Sequence, residues 1–205
     1  NGRPASTVKI SEQANALLEG WYLGEQGGHA VADILFGDVN PGGKLPVTVP
    51  RSVGQLPAFY NVKPSARRGY LFDTTDPLYP FGFGLSYTSF ALSPPRLSRA
   101  SIGTGGTTTV AVDVRNTGAR EGDEVVQLYI HDKVSSVTRP IKELKGFQRV
   151  TLKPGEVRTV RFTIDPESLK IWNDSMHHVV EPGAFEIMTG NSSVALQSTT
   201  LTVTP

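Results

Sequence analysis

The chain has 205 residues, enough for one large domain or two small ones at about 100–200 residues each. Its 20 Lys plus Arg face 19 Asp plus Glu, a net charge of +1. A nucleic-acid partner is therefore not expected, since that needs clustered, unbalanced basic charge, and Arg67-Arg68 is only a pair. No apolar run approaches the roughly 20 residues of a membrane-spanning helix, and NGRPASTVKI at the start lacks the apolar core of a leader peptide. With no cysteine there is no disulfide, thiolate zinc site or cysteine nucleophile.

Gly and Pro together make up about 18% of the chain, against about 12% on average. They are dispersed among apolar segments, which predicts turn-rich β structure. Asn1 in place of Met points to a processed or truncated piece of a longer polypeptide. Along residues 11–20 the spacing of Ala14, Leu17 and Leu18 predicts a helix capped by Ser11 and ended by Gly20. Trp21-Tyr22-Leu23 reads as a short buried strand, and Gly24-Glu25-Gln26-Gly27-Gly28 as a loop. A second helix follows, with Ala30, Ile34 and Leu35 on one side and Gly37 as its stop. Asn40-Pro41-Gly42-Gly43 is a turn, and Leu45 to Val49 a short strand bounded by Pro50. About 50 residues of this kind are the tail of an α/β layer, too small to fold alone.

Residues 51–90 read as irregular. Tyr79 to Tyr87 is rich in aromatics and glycines, which predicts a connection packed on a domain surface, since a flexible linker is polar. From about residue 107 the apolar period is two: Val110/Val112/Val114, Val126/Leu128/Ile130, Val160/Phe162/Ile164, then Phe185/Ile187, Val194/Leu196 and Leu201/Val203. Turn signals at Asn116-Thr117-Gly118, Lys153-Pro154-Gly155-Glu156 and Glu181-Pro182-Gly183 separate them. Around seven short strands predict an antiparallel β-sandwich, and the lack of cysteine selects a fibronectin-III-like arrangement. The expected fold is thus the C-terminal remnant of an α/β sandwich domain (1–55), a packed linker (56–90) and a fibronectin-III-like β-sandwich (91–205).

No catalytic set stands out. Glu25 in its Gly-rich loop reads as a solvated carboxylate, and Asp33 and Asp38 as exposed or capping groups. Asp123 and Glu124 read as surface charge after a turn. The histidines at 29, 131, 177 and 178 lack metal-ligand spacing; adjacent His177 and His178 would face opposite ways on a strand. No nucleophile elbow or phosphate loop occurs. Trp21, Tyr22, Phe81, Phe83 and Trp172 read as packing residues, with sugar stacking the sharper alternative. Asn173 and Asn191 begin N-glycosylation patterns. No metal and no cofactor is expected.

Longer motifs add a resemblance. Trp21 to Gly28, Ala32-Asp33-Ile34-Leu35-Phe36-Gly37-Asp38 and Asn40-Pro41-Gly42-Gly43-Lys44-Leu45-Pro46 resemble the end of the second domain of glycoside hydrolase family 3, as does Tyr79 to Tyr87, which in that family enters the C-terminal domain. Arg139 to Phe147 and Leu152-Lys153-Pro154-Gly155-Glu156 resemble its fibronectin-III-like domain. The wording is nearest the bacterial β-glucosidase type, with much of it shared by β-xylosidases. Leu23 stands where that family usually has Pro. The resemblance implies retaining hydrolysis by an Asp nucleophile and a Glu acid/base about 5–5.5 Å apart. It places both upstream of Asn1-Gly2-Arg3-Pro4, so no catalytic residue is assigned here and substrate-binding residues stay unassigned. It also implies a secreted or periplasmic enzyme, an upstream catalytic portion as partner and a β-linked oligosaccharide or glycoside as substrate. Two other readings stand beside it: a carbohydrate-binding module without catalysis, and a subunit-interaction module in which the loop Ser135 to Arg139 makes a homodimer contact.

Overall fold

The computed structural model describes residues 2–64, 69 and 72–205; Arg67-Arg68 lies outside them. The first helix, α1 (Val8–Gln13), is shorter and earlier than the spacing predicts. Ser11 lies inside it and donates to Val8 O at 2.8 Å rather than capping it. No residue of α1 is buried. A short helix draws its stability from packing an apolar face, and without that support residues 14–20 run irregularly. Trp21-Tyr22-Leu23 is not a strand either: Trp21 has φ 51° and Tyr22 is 88% exposed. A strand needs a neighbour for its backbone groups, and no described segment pairs with it.

Helix α2 (Gly27–Phe36) ends as predicted at Gly37, whose φ of 82° lets its N–H return to Ile34 O. Its outer face carries Leu35 and Phe36, the latter 85% exposed. Residues 45–49 form only a bridge, Val49 to Tyr79, with hydrogen bonds Leu45 N to Phe83 O and Gly82 N to Leu45 O beside it. Pro46, Pro50 and Pro80 lack the N–H a continuous ladder requires. A 3₁₀ turn occupies Val53–Gln55.

The sandwich begins with β1 (Phe90–Leu92), β2 (Arg96–Leu97), β3 (Ser101–Gly103) and β4 (Thr108–Asn116). Next come β5 (Gly122–Asp132), β6 (Glu143–Leu152) and β7 (Val157–Ile164). A short helix, α3 (Pro166–Leu169), and a small hairpin, β8 (Ile171–Trp172) with β9 (His178–Val179), precede β10 (Gly183–Gly190) and β11 (Leu196–Thr204). In one sheet β4 takes β1 and β2 on one edge and β7 on the other. The other sheet runs β3-β11-β10-β5-β6. All pairings are antiparallel except β11 with β3, which is parallel.

The inward residues are those of the two-residue period: Val110, Val112 and Val114 face Val126, Leu128, Ile130, Phe185, Ile187 and Leu201. Each such side chain contributes about 1.5–3 kcal/mol when removed from water. Strand β5 departs from the simple pattern, because Gln127 and Tyr129 on its other face are buried too. Tyr60, Gly82 and Asn191 lie against them.

Candidate functional site

The seam between residues 40–87 and the outer face of β5 is the most organised polar region of the molecule. Lys44 Nζ lies 2.8 Å from Glu124 Oε1, with the side chains only 12% and 4% exposed, and also donates to Gly84 O at 2.9 Å. Glu124 is therefore not surface charge: the chain that supplies Lys44 covers it. Asn40 closes the same corner, donating to Glu121 O at 2.9 Å while its Oδ1 accepts from Ser86 Oγ and Tyr87 N at 2.8 Å each. The approach is backbone-close, since a side chain on Gly84 would meet Gly43 O. Gly82, at φ 78°, sits against the Gln127 carboxamide.

Gln127 joins three segments. Its Nε2 donates to Gly82 O at 3.1 Å and to Asn191 O at 3.0 Å, and its Oε1 accepts from Tyr129 Oη at 2.6 Å. Burial, and then the neighbouring Tyr60, hold the Tyr129 phenol well above its ordinary value, so it stays a donor. Tyr60 stacks on Phe81 at 4.3 Å and meets Tyr129 edge-on at 5.8 Å, and its hydroxyl accepts from Leu144 N at 3.1 Å. Phe83 stacks on Tyr79. Tyr87 reaches back to Ile34 O at 2.7 Å and so ties α2 to the same seam.

The carboxylates considered from sequence do not converge. Glu25 is exposed in its loop, Asp33 is half-buried on α2 and Asp38 is exposed beyond it. Asp123 bonds Arg149 Nε at 2.8 Å and Thr151. His29 pairs with Gln26 at 2.8 Å and His131 with Pro140 O at 3.1 Å. His177 lies in the turn before β9 rather than on a strand, while His178 stacks on Trp172 at 4.9 Å. Among the described residues no three His, Asp or Glu stand together as a metal set. Asn173 shapes the hairpin turn by accepting from Ser175 N and His177 N. The loop through Ser135 and Arg139 folds back on its own sandwich, with Ser136 N on Glu181 at 2.8 Å and Arg139 on Glu143. Nearby, burial pushes the Asp132 carboxyl upward.

Sequence reasoning missed Lys44, Gln127, Tyr129 and Tyr60 as a group. The only usable signal was the glycine alternation Gly82-Phe83-Gly84, which marks close backbone approach.

Fold and seam define a broad class: a piece of an α/β unit fastened by a buried polar seam to a fibronectin-III-like sandwich. Residues 1–87 match the glycosyl hydrolase family 3 C-terminal domain, and residues 124–193 the fibronectin type III-like domain. The chain belongs to glycoside hydrolase family 3, as a C-terminal part. It is 48% identical to a periplasmic β-glucosidase of Salmonella typhimurium over 96% of this chain and 27% of that protein. It is 51% identical to a β-xylosidase of Formosa agariphila over 99% of this chain and 29% of that protein. A solved β-glucosidase from Erythrobacter marinus superposes with a TM-score of 0.97 at 53% identity, covering 99% of this chain and 27% of that one. A β-glucosidase from Listeria innocua in complex with glucose gives 0.96 at 35% identity, covering 100% and 30%. The chain thus spans less than a third of the length of these relatives. No helix among the described residues is long and apolar enough to cross a membrane.

Proposed function

We propose that this chain is the C-terminal portion of a retaining β-glycosidase, a β-glucosidase, that hydrolyses terminal β-linked sugars. Residues 1–55 complete its α/β sandwich domain, 56–90 strap the two units together and 91–205 buttress the active site. The nucleophile and the acid/base belong to the upstream portion, which is this chain's partner, and the chemistry uses no cofactor. The observation that carries this reading is the coverage: relatives with glycosidase names align with 96% and 99% of this chain but with 27% and 29% of themselves. The exposed Tyr22, Leu35 and Phe36 support it, because an α/β segment with such apolar groups in water lacks a covering surface. A secreted or periplasmic location follows the Salmonella relative's printed name, and cell fractionation tests it.

The direct test compares this chain alone with the chain supplied with the upstream polypeptide, on aryl β-glucoside and aryl β-xyloside. Expected are silence alone and glucoside-preferring hydrolysis together. Enzyme-like hydrolysis by the chain alone refutes the placement of the carboxylates, and a preference for the xyloside refutes the glucosidase assignment.

A further inference from the structure

Where the inward series of β5 runs out, it leaves an acid in a core position. Val126, Leu128 and Ile130 point inward, and Asp132 is the next member of that series, paired across the sheet with core Phe185. Only 9% of Asp132 is exposed, and its Oδ2 has no hydrogen-bond partner among the described residues. A carboxylate oxygen shut off from water without a donor strongly disfavours the charged form.

The loop 133–140 begins at this point and is held by carboxylates. Lys133 N bonds Ala184 O at 3.1 Å, and Ser136 donates both its N–H, at 2.8 Å, and its hydroxyl to Glu181. On the return, Arg139 bonds Glu143 through one terminal nitrogen. Its Nε is buried and has no partner among the described residues, so a cationic donor is stranded in the same way as the acid. The two belong to one cluster, since the Arg139 charge favours an ionised Asp132 and the Glu181 charge opposes it. Burial is the largest influence and pushes the Asp132 carboxyl upward, with the Val134 N–H, Arg139 and His131 acting against it. His131 itself bonds Pro140 O at 3.1 Å, and Lys145 Nζ lies 3.9 Å from Glu143.

A stranded acceptor and a stranded donor in one cluster make an exchangeable pair. Arginine stays charged at any working pH, so the proton on Asp132 decides where Arg139 binds. A neutral Asp132 offers it no counter-ion, and the guanidinium goes to Glu143, as observed. Once Asp132 loses its proton to solvent, Arg139 Nε is the bare donor of the cluster, and a charge-assisted bond offsets the burial of the carboxylate. Glu143 then keeps Lys145 as its counter-ion.

We propose that residues 133–140 form a pH-responsive arm with two arrangements. With Asp132 neutral, Arg139 holds Glu143; with Asp132 ionised, Arg139 Nε turns onto Asp132 Oδ2 and redraws the arm. The observed arrangement is fully present below the ordinary carboxylate value, about pH 4, and is lost as pH rises through the raised value of the buried acid. Just past the arm, Ile141 N bonds Val62 O at 2.9 Å, so the change acts where the sandwich meets the first part of the chain. The inference does not rest on the hydrolytic activity proposed above.

The test is NMR of the full 205-residue chain over about pH 3–8, reading the amides of residues 133–139 and the Arg139 Nε–H signal. The unmodified chain is expected to show one shared step in both, with its midpoint above about pH 4. Asp132→Asn, the same shape without a charge, should hold the low-pH signals throughout. Glu143→Gln frees Arg139 for Asp132 and should move the midpoint down, while His131→Gln should leave the step in place. No step in the unmodified chain overturns the proposal, and that result needs no variant to fold. A step that survives Asp132→Asn, an unmoved midpoint in Glu143→Gln, or a step lost in His131→Gln overturns it too. No readout involves hydrolysis, so its failure and that of the proposed activity are separable.

Discussion

Removing Lys44 alone is expected to damage the seam more than removing both members of its ion pair. At 2.8 Å and an effective dielectric constant of about 20, the Lys44–Glu124 attraction is about 6 kcal/mol. Dehydrating two ions takes most of that back, so the intact pair is close to balanced. Lys44→Met keeps the stem's packing but leaves Glu124 buried and without its counter-ion, its remaining bond being from Val125 N at 2.8 Å. It also strips Gly84 O of its donor. The expected cost is about 3–5 kcal/mol, which lowers a urea midpoint by about 1–2.5 M at an m-value of about 2–3 kcal/mol/M. Lys44→Met with Glu124→Leu removes both charges and should recover most of the loss. Urea titration followed by tryptophan fluorescence reads both halves, since Trp21 lies in the first segment and Trp172 in the sandwich. An unchanged midpoint in the single variant, or a double variant as unstable as the single one, refutes the argument that burial without a partner sets the penalty.

Tyr129→Phe withdraws the donor from Gln127 Oε1 and should cost about 1–3 kcal/mol in the same titration; no loss means Gln127 is not the anchor of the seam. Gly84→Ala places a methyl against Gly43 O, with backbone on both sides, and should cost about 1–3 kcal/mol and expose residues 80–87 to proteolysis. Gly28→Ala, with open space around its Cβ on α2, should instead gain about 0.5–1 kcal/mol; equal effects at the two glycines refute the steric reading. The side chain of Ser168, and then its N–H, hold the Asp165 carboxyl below its ordinary value. The stabilisation from that cap is therefore fully present above the unfolded value, about pH 4, and fades as pH falls through the lower folded one. Asp165→Ala should cost about 0.5–2 kcal/mol at neutral pH, and melting curves of the two proteins should converge in strong acid; a gap independent of pH counts against the cap.

The β-sandwich was legible because a strand's two-residue period is written in the strand itself. Val110/Val112/Val114 and Val160/Phe162/Ile164 mark their inner faces whatever lies opposite. Gly37 likewise announces a helix end, since the left-handed turn it adopts is a property of that one residue. The family motifs were readable for a related reason: they are contiguous words. Elements whose stability depends on a covering surface were misread. Ala14, Leu17 and Leu18 carry helical spacing, yet spacing without a face to bury against does not hold a helix. Trp21 to Leu23 has strand-like composition but no pairing strand. The second face of β5 is the converse case, because Gln127 and Tyr129 look solvent-facing until Gly82 and Tyr60 arrive from distant parts of the chain, and Glu124, near the start of the strand, looks like surface charge until Lys44 covers it. Local periodicity thus determined the sheets and their inner core. The tertiary structure alone decided which polar groups went inside, because burial of a charge or amide is set by the partner that reaches it.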